Sequence, residues 1–514
     1  MKRLLFVAFW ATQILVCKTN AQEVSITGVS PESFSGVRSV NNGELYYVAY
    51  MDANSQDSAN VAVRIFDRGM QPRREINVPV SKGTQLAASA FTGQFYIVQL
   101  VNVGNKTRTM LVLDEGGNVF KRKDEADIKA SALSAARYST IYPISPNDYV
   151  IIRTNRDGKA AFEMEGMDAE LTSRWQKTLD GRPGFEVLDL KTEMDRIFLL
   201  QKDDAGVRED YSVRVLNGMG GDDFFSTEIR EAENIAIPAF IDVKNGFIAT
   251  AGIFQREPSP GKSAGLFFAK LDPTGRPEKL QFIPWSLIKT QVKNSIISDL
   301  ESGKAGVQIQ NVIPDAKDEG FTLLGELYTK TAGVEAATAT FSVQDFILVH
   351  INKDGQPDRV SQISKPVRSL MVKGAVSNKN ATELAQWLDS KRFFGYRAVV
   401  PTGDKTVIAY LDNKKGKATG YFATLDSIGT APQGNITTLD FDRQEGGNTR
   451  ARKTDKSAED TDIEILSSTE QDVRDFAAAR AAKDIVPVQD GQVMMLNYTA
   501  PDLRFWIIPV PVRQ

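Results

Sequence analysis

A turn pair followed at once by an apolar strand recurs eight times along this chain, and few folds accept that pattern. The pairs are Asn42-Gly43, Thr92-Gly93, Asn147-Asp148, Met194-Asp195, Asn245-Gly246, Glu319-Gly320, Gly403-Asp404 and Asp490-Gly491. Asn, Asp and Gly accept positive φ at little cost, which a two-residue hairpin requires. A second strand follows each pair. In six copies it ends on a large apolar residue and then Asp or Asn: Phe66-Asp67, Leu113-Asp114, Leu216-Asn217, Leu271-Asp272, Ile351-Asn352 and Leu425-Asp426. The copy near Gly166 lacks that ending. A third, shorter strand then departs, as in REINVPV or RWQKTL, and another apolar stretch precedes each turn pair. Each unit is therefore four antiparallel strands.

The turn positions are spaced by 50, 55, 47, 51, 74, 84 and 87 residues. Four strands repeating near 50 residues is the spacing of propeller blades, which wrap radially and protect their edges. The expected fold is an all-β propeller of eight four-stranded blades, with seven blades or a pair of β-sandwiches as alternatives. The last unit ends in RFWIIPVPVRQ, its third strand. Its fourth is expected from EVSITGV, Glu23 to Val29, paired with the strand that holds Phe505 and Ile507. That pairing would close the ring and remove its exposed edges.

Three insertions lengthen the later units, at about 285–304, 365–395 and 442–484. In the first, Ser286 to Gly303 is expected as one helix. Ser286 would cap it, Gly303 would end it, and Ile288, Val292, Ile296 and Leu300 would form its apolar stripe. Ala381 to Phe393 is a shorter candidate around Leu384 and Leu388. Asp442 to Asp462 is charged and poor in apolar residues, and Thr469 to Lys483 is expected to be helical. All three join the outer strand of one blade to the inner strand of the next, so they share one face of the ring. Trp285 and Trp387 lie within or beside them. They are candidate binding residues on that face, with burial between blades as the other reading.

The chain opens with Met1-Lys2-Arg3, an apolar run from Leu4 to Cys17, and then Thr19-Asn20-Ala21-Gln22. A charged start, an apolar middle and small residues before Gln22 are the parts of a cleavable export signal over residues 1–21. The run is short of the roughly 20 apolar residues that a membrane span needs, and no other stretch comes close. The rest, residues 22–514, is expected to be a single propeller domain in the periplasm or at the cell surface. Lipid anchoring through Cys17, the chain's one cysteine, is the minor alternative. Loss of Lys2, Arg3 and Lys18 with the signal leaves 59 basic residues against 65 acidic ones, a net charge near −6. The basic residues are spread evenly. Composition argues against nucleic acid and anionic membrane surfaces as partners, because both need clustered positive charge. A monomer is expected.

Familiar catalytic motifs fail on context. Gly261-Lys262-Ser263-Ala264-Gly265 spells G-x-S-x-G, but Pro258 and Pro260 precede it and a strand follows, where a nucleophile elbow needs a helix. As a phosphate loop it lacks the earlier glycine, which is Arg256. Ser286-Leu287-Ile288-Lys289 fits S-x-x-K without its companion motifs. His350 is the only histidine and is expected near a blade rim. One histidine and no mature cysteine offer little to zinc, and no calcium loop is present. No metal or cofactor is therefore expected. A glycosidase needs only two carboxylates, and the inventory permits a pair in the central channel. Sialidase-type Ser-x-Asp boxes are absent: in Thr154-Asn155-Arg156-Asp157-Gly158 the aspartate comes one position late.

Asp57-Ser58-Ala59 and Asp426-Ser427-Ile428 match a short O-glycosylation pattern of secreted Bacteroidota proteins. With the Asn20-Ala21-Gln22 signal end and the segment FILVHINKDGQ, most of the chain resembles uncharacterised secreted β-propeller-like proteins of Bacteroidota. That resemblance implies the fold and export but no activity. The functional expectation is a binding or scaffolding propeller for a glycan, peptide or protein partner. A carbohydrate-active hydrolase or lyase with a carboxylate pair in the channel is the alternative.

Overall fold

The computed structural model describes residues 23–512, except 41–43, 53–58, 138, 155–161, 180–184, 205–208, 257–261, 292–294, 316–319, 334, 336, 404, 415–416, 426–435, 442–462, 467–481, 489–490 and 500. The export signal, Cys17 and the candidate helix at 469–483, apart from its last residues, lie outside the described residues, as do Asp57, Ser58 and residues 426–428 of the two glycosylation patterns.

Eight sheets, antiparallel but for one added strand in the sixth, follow one another along the chain, and each is a blade. Their innermost strands are Val29–Val40, Gln85–Phe91, Thr140–Pro143, Phe185–Glu193, Asn234–Lys244, Gly306–Pro314, Tyr396–Thr402 and Lys483–Pro487. From the first blade to the eighth, consecutive innermost strands touch one another, so the sheets stand radially about one axis. The protein is an eight-bladed β-propeller.

Burial follows from that arrangement. Second strands lie between two neighbouring blades and are apolar on both faces: Phe95–Asn102 is buried along its whole length. Outer strands meet water, and Val119–Glu125 (VFKRKDE) is exposed at every residue but the last. Its charges deter pairing with another chain at a free edge. The hairpins behave as their residues dictate. Asn245 and Gly246 have φ of 53° and 77°, the geometry of a tight two-residue turn.

The recurring Asp or Asn after the apolar residue has a definite task. Its side chain closes the next turn by accepting a backbone N–H four residues on. Asp67 accepts from Gln71 at 2.9 Å, Asp114 from Asn118 at 2.7 Å, Asp272 from Arg276 at 2.9 Å and Asn352 from Gln356 at 2.9 Å. The copy near Gly166 has the device after all. Met167-Asp168 ends that strand, and Asp168 accepts from Thr172 at 2.9 Å.

The ring closes as expected, over a shorter stretch. Glu23–Ile26 pairs with Leu503–Trp506, placing Ile26 beside Leu503 and Val24 beside Phe505. Val29 already belongs to the first blade, and its N–H donates to the Pro501 carbonyl at 2.9 Å. Ile26, Leu503 and Phe505 are buried in one cluster with Phe66 of the first blade, whose ring meets Phe505 edge-on at 5.3 Å.

The insertions differ more from expectation. Ser286 to Gly303 holds parts of two short helices rather than one. An earlier helix, α1 (Ala130–Arg137), sits between blades two and three and seats Leu133 in the core; its small residues give no apolar stripe in the sequence. Helix α2 (Trp285–Gln291) begins one residue before Ser286, which therefore lies in the first turn and does not cap it. Helix α3 (Ser295–Ser302) buries Ile297 and Leu300. Gly303, at φ 76°, ends it. Helix α4 (Ala381–Ser390) starts on a capping box, in which Asn380 and Glu383 each bond the other's backbone N–H at 2.9 Å. Two strands in the insertions have no expectation behind them. Arg368–Lys373 and Ile463–Leu466 extend the sixth blade, the latter in parallel.

Candidate functional site in the central channel

Between blades six and seven lies a cluster of charges almost wholly removed from water. Glu326 and Asp412 come from second strands, and Lys365 and Arg368 come from the insertion between the blades. Their side chains are 0 %, 1 %, 1 % and 6 % exposed. Lys365 Nζ is 3.0 Å from Glu326, and Arg368 is 3.2 Å from Asp412. Arg368 also donates to the Phe393 carbonyl at 2.6 Å and the Leu411 carbonyl at 3.2 Å. Two acids and two bases make the cluster neutral, which is what permits its burial.

This cluster positions the channel wall. The Glu326 carboxylate accepts the N–H of Gly395 at 3.1 Å and that of Tyr396 at 2.5 Å. The start of the seventh innermost strand is thereby fixed. From there the Tyr396 ring reaches the channel, and its hydroxyl accepts from the Asn311 amide of blade six at 2.5 Å. Burial pushes the Tyr396 phenol up to about 12, with Asp242 of blade five adding to the rise.

A cavity of about 530 Å³ opens beside Tyr396, between blades seven, eight and one. Asp389, Arg392, Arg397 and Asp484 line it, together with Phe34 and Arg38 from the first innermost strand. Asp484 is held by two arginines: Arg397 Nε lies 3.2 Å away, and Arg392 pairs with its other oxygen. Arg397 also donates to the carbonyls of Phe394 and Tyr396 at 2.7 and 2.6 Å. Asp389, on α4, is bonded by neutral groups instead: Gln308 and Gln310 amides donate to its two oxygens, each at 3.2 Å. Burial pushes its carboxyl up to about 6, against the pull of the two amides, and Glu326 adds to the rise.

A second cavity of about 530 Å³ continues the channel between blades one, two and three. Ser89, Phe91 and Tyr142 line it. Phe34 and Arg38 stand between the two lobes and line both.

The raised Asp389 carboxyl makes stability depend on pH. The folded protein prefers this group protonated, relative to an unfolded value of about 3.9. Its stabilising contribution is complete below that value and is lost as pH rises through about 6. We therefore expect Asp389→Asn to gain on the wild type as pH rises, by about 1–2 kcal/mol at pH 7.5, and to match or trail it near pH 4. Melting temperatures of both proteins across that range check this. Parallel curves would refute it.

Of the residues singled out in the sequence, Trp285 is 1 % exposed. It packs in the core beside Ile288 and Leu300, and its Nε1 donates to Ser263 Oγ at 3.0 Å. That bond gives Ser263 a structural role, within a loop that leads into the strand Gly265–Leu271. Trp387 is half-buried on α4, packed against the cluster of Tyr328 and Phe341. His350 is buried, 3 % exposed, rather than displayed at a rim. Its Nδ1 is 2.6 Å from Asp358, and its Nε2 is 3.5 Å from Asp315. Among the described residues no group of three or more His, Cys, Asp or Glu could hold a metal ion. Nor is any described helix long and apolar enough to cross a membrane. Sequence reading missed the channel residues Arg38, Asp389, Tyr396 and Asp484. Asp389 and Tyr396 lie close together in the chain, but Arg38 and Asp484 are far from them, and only the ring brings the four together.

No protein-family profile matches the sequence, and no curated protein matches it. The structure is distantly similar to the β-propeller domain of the Trilobed protease from Pyrococcus furiosus, at 9 % identity and a TM-score of 0.33, over 80 % of this chain and 96 % of that one. It is also similar to a europium-containing methanol dehydrogenase, at 8 % identity and 0.41, over 92 % and 84 %. A third likeness, at 9 % identity and 0.38 over 83 % and 90 %, is to the polysaccharide lyase Uly1. These likenesses are remote, and the fold stands on the strand order itself.

Proposed function

We propose that this is an exported propeller of the periplasm or cell surface, of the secreted Bacteroidota kind, that binds a glycan or peptide in its central channel. The observation that carries this reading is the cavity at Tyr396, where an aromatic ring and paired charges converge in a concave wall. That is the usual composition of a small-ligand site. The insertion that carries α4 supplies Asp389 and Arg392, so this end of the channel faces the inserted segments. Trp387, two residues before Asp389 on the same helix, packs against the Tyr328 and Phe341 cluster and is not among the residues that line this cavity.

A carbohydrate-active enzyme is the second reading, and one observation favours it. Asp389 and Asp484 line one cavity in opposite settings, the first bonded by neutral amides and the second by arginines. An acid and a base need such unlike surroundings.

A panel of glycans and peptides, scored for binding and for cleavage, tests both. Tyr396→Ala should weaken binding of any hit by about tenfold or more, with the fold intact by circular dichroism. Hits that bind Tyr396→Ala as well as wild type would place the ligand elsewhere and end the channel reading. Cleavage lost in Asp389→Asn would favour the enzyme.

A further inference from the structure

Three arginines line the channel cavities, and their circumstances differ. Arg392 and Arg397 are committed to Asp484, and Arg397 also to backbone carbonyls. Arg38 has no hydrogen-bond or ion-pair partner for its side chain among the described residues. It is exposed, on the innermost strand of blade one, at the point where the two lobes meet. Its charge is felt by the tyrosines around it: it favours the ionised form of the Tyr47 and Tyr142 phenols, against the burial that raises both.

An unpaired arginine on a convex surface would mean little, because water solvates it fully. In a channel walled by eight blades, the low-dielectric surroundings focus its field along the axis. The balance of charge about it is positive as well. Asp484 offsets one of its two arginines, and Asp389 is drawn toward its neutral form by burial. The chain as a whole is negative, with a formal charge of −3, so this local excess runs against the composition. Across the axis, blade five presents Asp242, which is exposed and close enough to bear on Tyr396. The channel is thus polarised, cationic toward blades seven, eight and one.

We propose that Arg38 is an anion-recognition residue, and that the channel takes a small ligand bearing a carboxylate or phosphate that bonds the Arg38 guanidinium where the two lobes meet. The guanidinium fork suits either group, because its parallel N–H donors match two oxygens at once. Phe34 and Tyr142 flank that position and offer apolar surface to the body of the ligand. The inference rests on the channel being the binding site and adds the chemical class of what enters it.

Calorimetric titration of the full chain with trigalacturonate, its methyl ester, citrate and inorganic phosphate tests it. At least one of the anions should bind. For the sugar, the free acid should bind about 10- to 100-fold more tightly than the ester, the range expected for one charge-assisted contact. Arg38→Gln should abolish that preference without moving the melting temperature, and Arg38→Lys should keep part of it. Competition between phosphate and the sugar acid separates an inorganic anion from a carboxylate ligand on the same residue. Binding of none of these anions overturns the inference, as does a preference for the acid that survives in Arg38→Gln. A neutral ligand that needs Tyr396 but ignores Arg38 overturns it too, and leaves the channel reading standing.

Discussion

Lys365→Met should destabilise the protein by about 3–5 kcal/mol, the cost of leaving a buried charge without its partner. Lys365 is 1 % exposed and faces Glu326, which is fully buried. Methionine fills nearly the same space, so packing above the Phe346 ring survives and the loss is electrostatic. Glu326 would be left as an anion whose remaining partners are the N–H groups of Gly395 and Tyr396. A stability of about 5–15 kcal/mol is typical of a folded domain, so the loss is a large share of the whole. The double variant Lys365→Met with Glu326→Gln should recover part of the loss, because it removes both charges. Urea denaturation of the two single variants and the double checks this. A single variant as stable as wild type would show that the cluster is hydrated, and additive losses would show that the pair does not interact.

Deleting Glu23–Ile26 should have an effect of similar size by a different route. Leu503–Trp506 would lose its ladder partner, and the pocket that Ile26 fills, 1 % exposed, would open. Full burial of one such side chain is worth about 1.5–3 kcal/mol, before the ladder bonds are counted. The bared strand is also an apolar edge able to pair with a second copy. Differential scanning calorimetry with light scattering should find a clearly lower melting temperature, with aggregation beginning in the transition. A truncated protein that melts with the wild type and stays monomeric would mean that the ring does not depend on this strand.

The blades were legible in the sequence because each is specified locally. Asn245-Gly246 makes its turn wherever it is placed, and Asp67 or Asp272 closes a turn with the residue four positions on. Closure was legible as well, because a blade lacking one strand and a spare strand at the other end make a unique match. The insertions were harder. Ile288, Val292, Ile296 and Leu300 keep helical spacing across residues 286–303, but the stripe does not reveal that α2 and α3 are separate helices. His350 looked peripheral because Lys270 and Thr424 stand at matching positions in other blades. It is buried between Asp315 and Asp358, one from the neighbouring loop and one from the next strand, which no alignment of repeats could supply. The channel site was least legible. Its tyrosine, arginines and aspartates come from blades one, seven and eight and from α4 and the turn after it, and no motif along the chain joins Arg38 and Asp484 to the rest.

The Tyr498 hydroxyl donates to the Val29 carbonyl, 469 positions apart along the chain. That bond sits beside the closing strand, and the two together impose an order of events on synthesis. The first seven blades are each continuous in sequence, apart from the strand Ile463–Leu466 added to the sixth, and can form as they emerge. The first strand must wait for Asp502–Pro509, hundreds of positions later, before it has anything to pair with. Loop-closure entropy makes such distant contacts slow to form, so ring completion is expected as the late step of folding. A chain built this way stays an open arc until Asp502–Pro509 has been made. Termination before Leu503–Trp506 would therefore leave every copy unsealed, however well its other blades had folded.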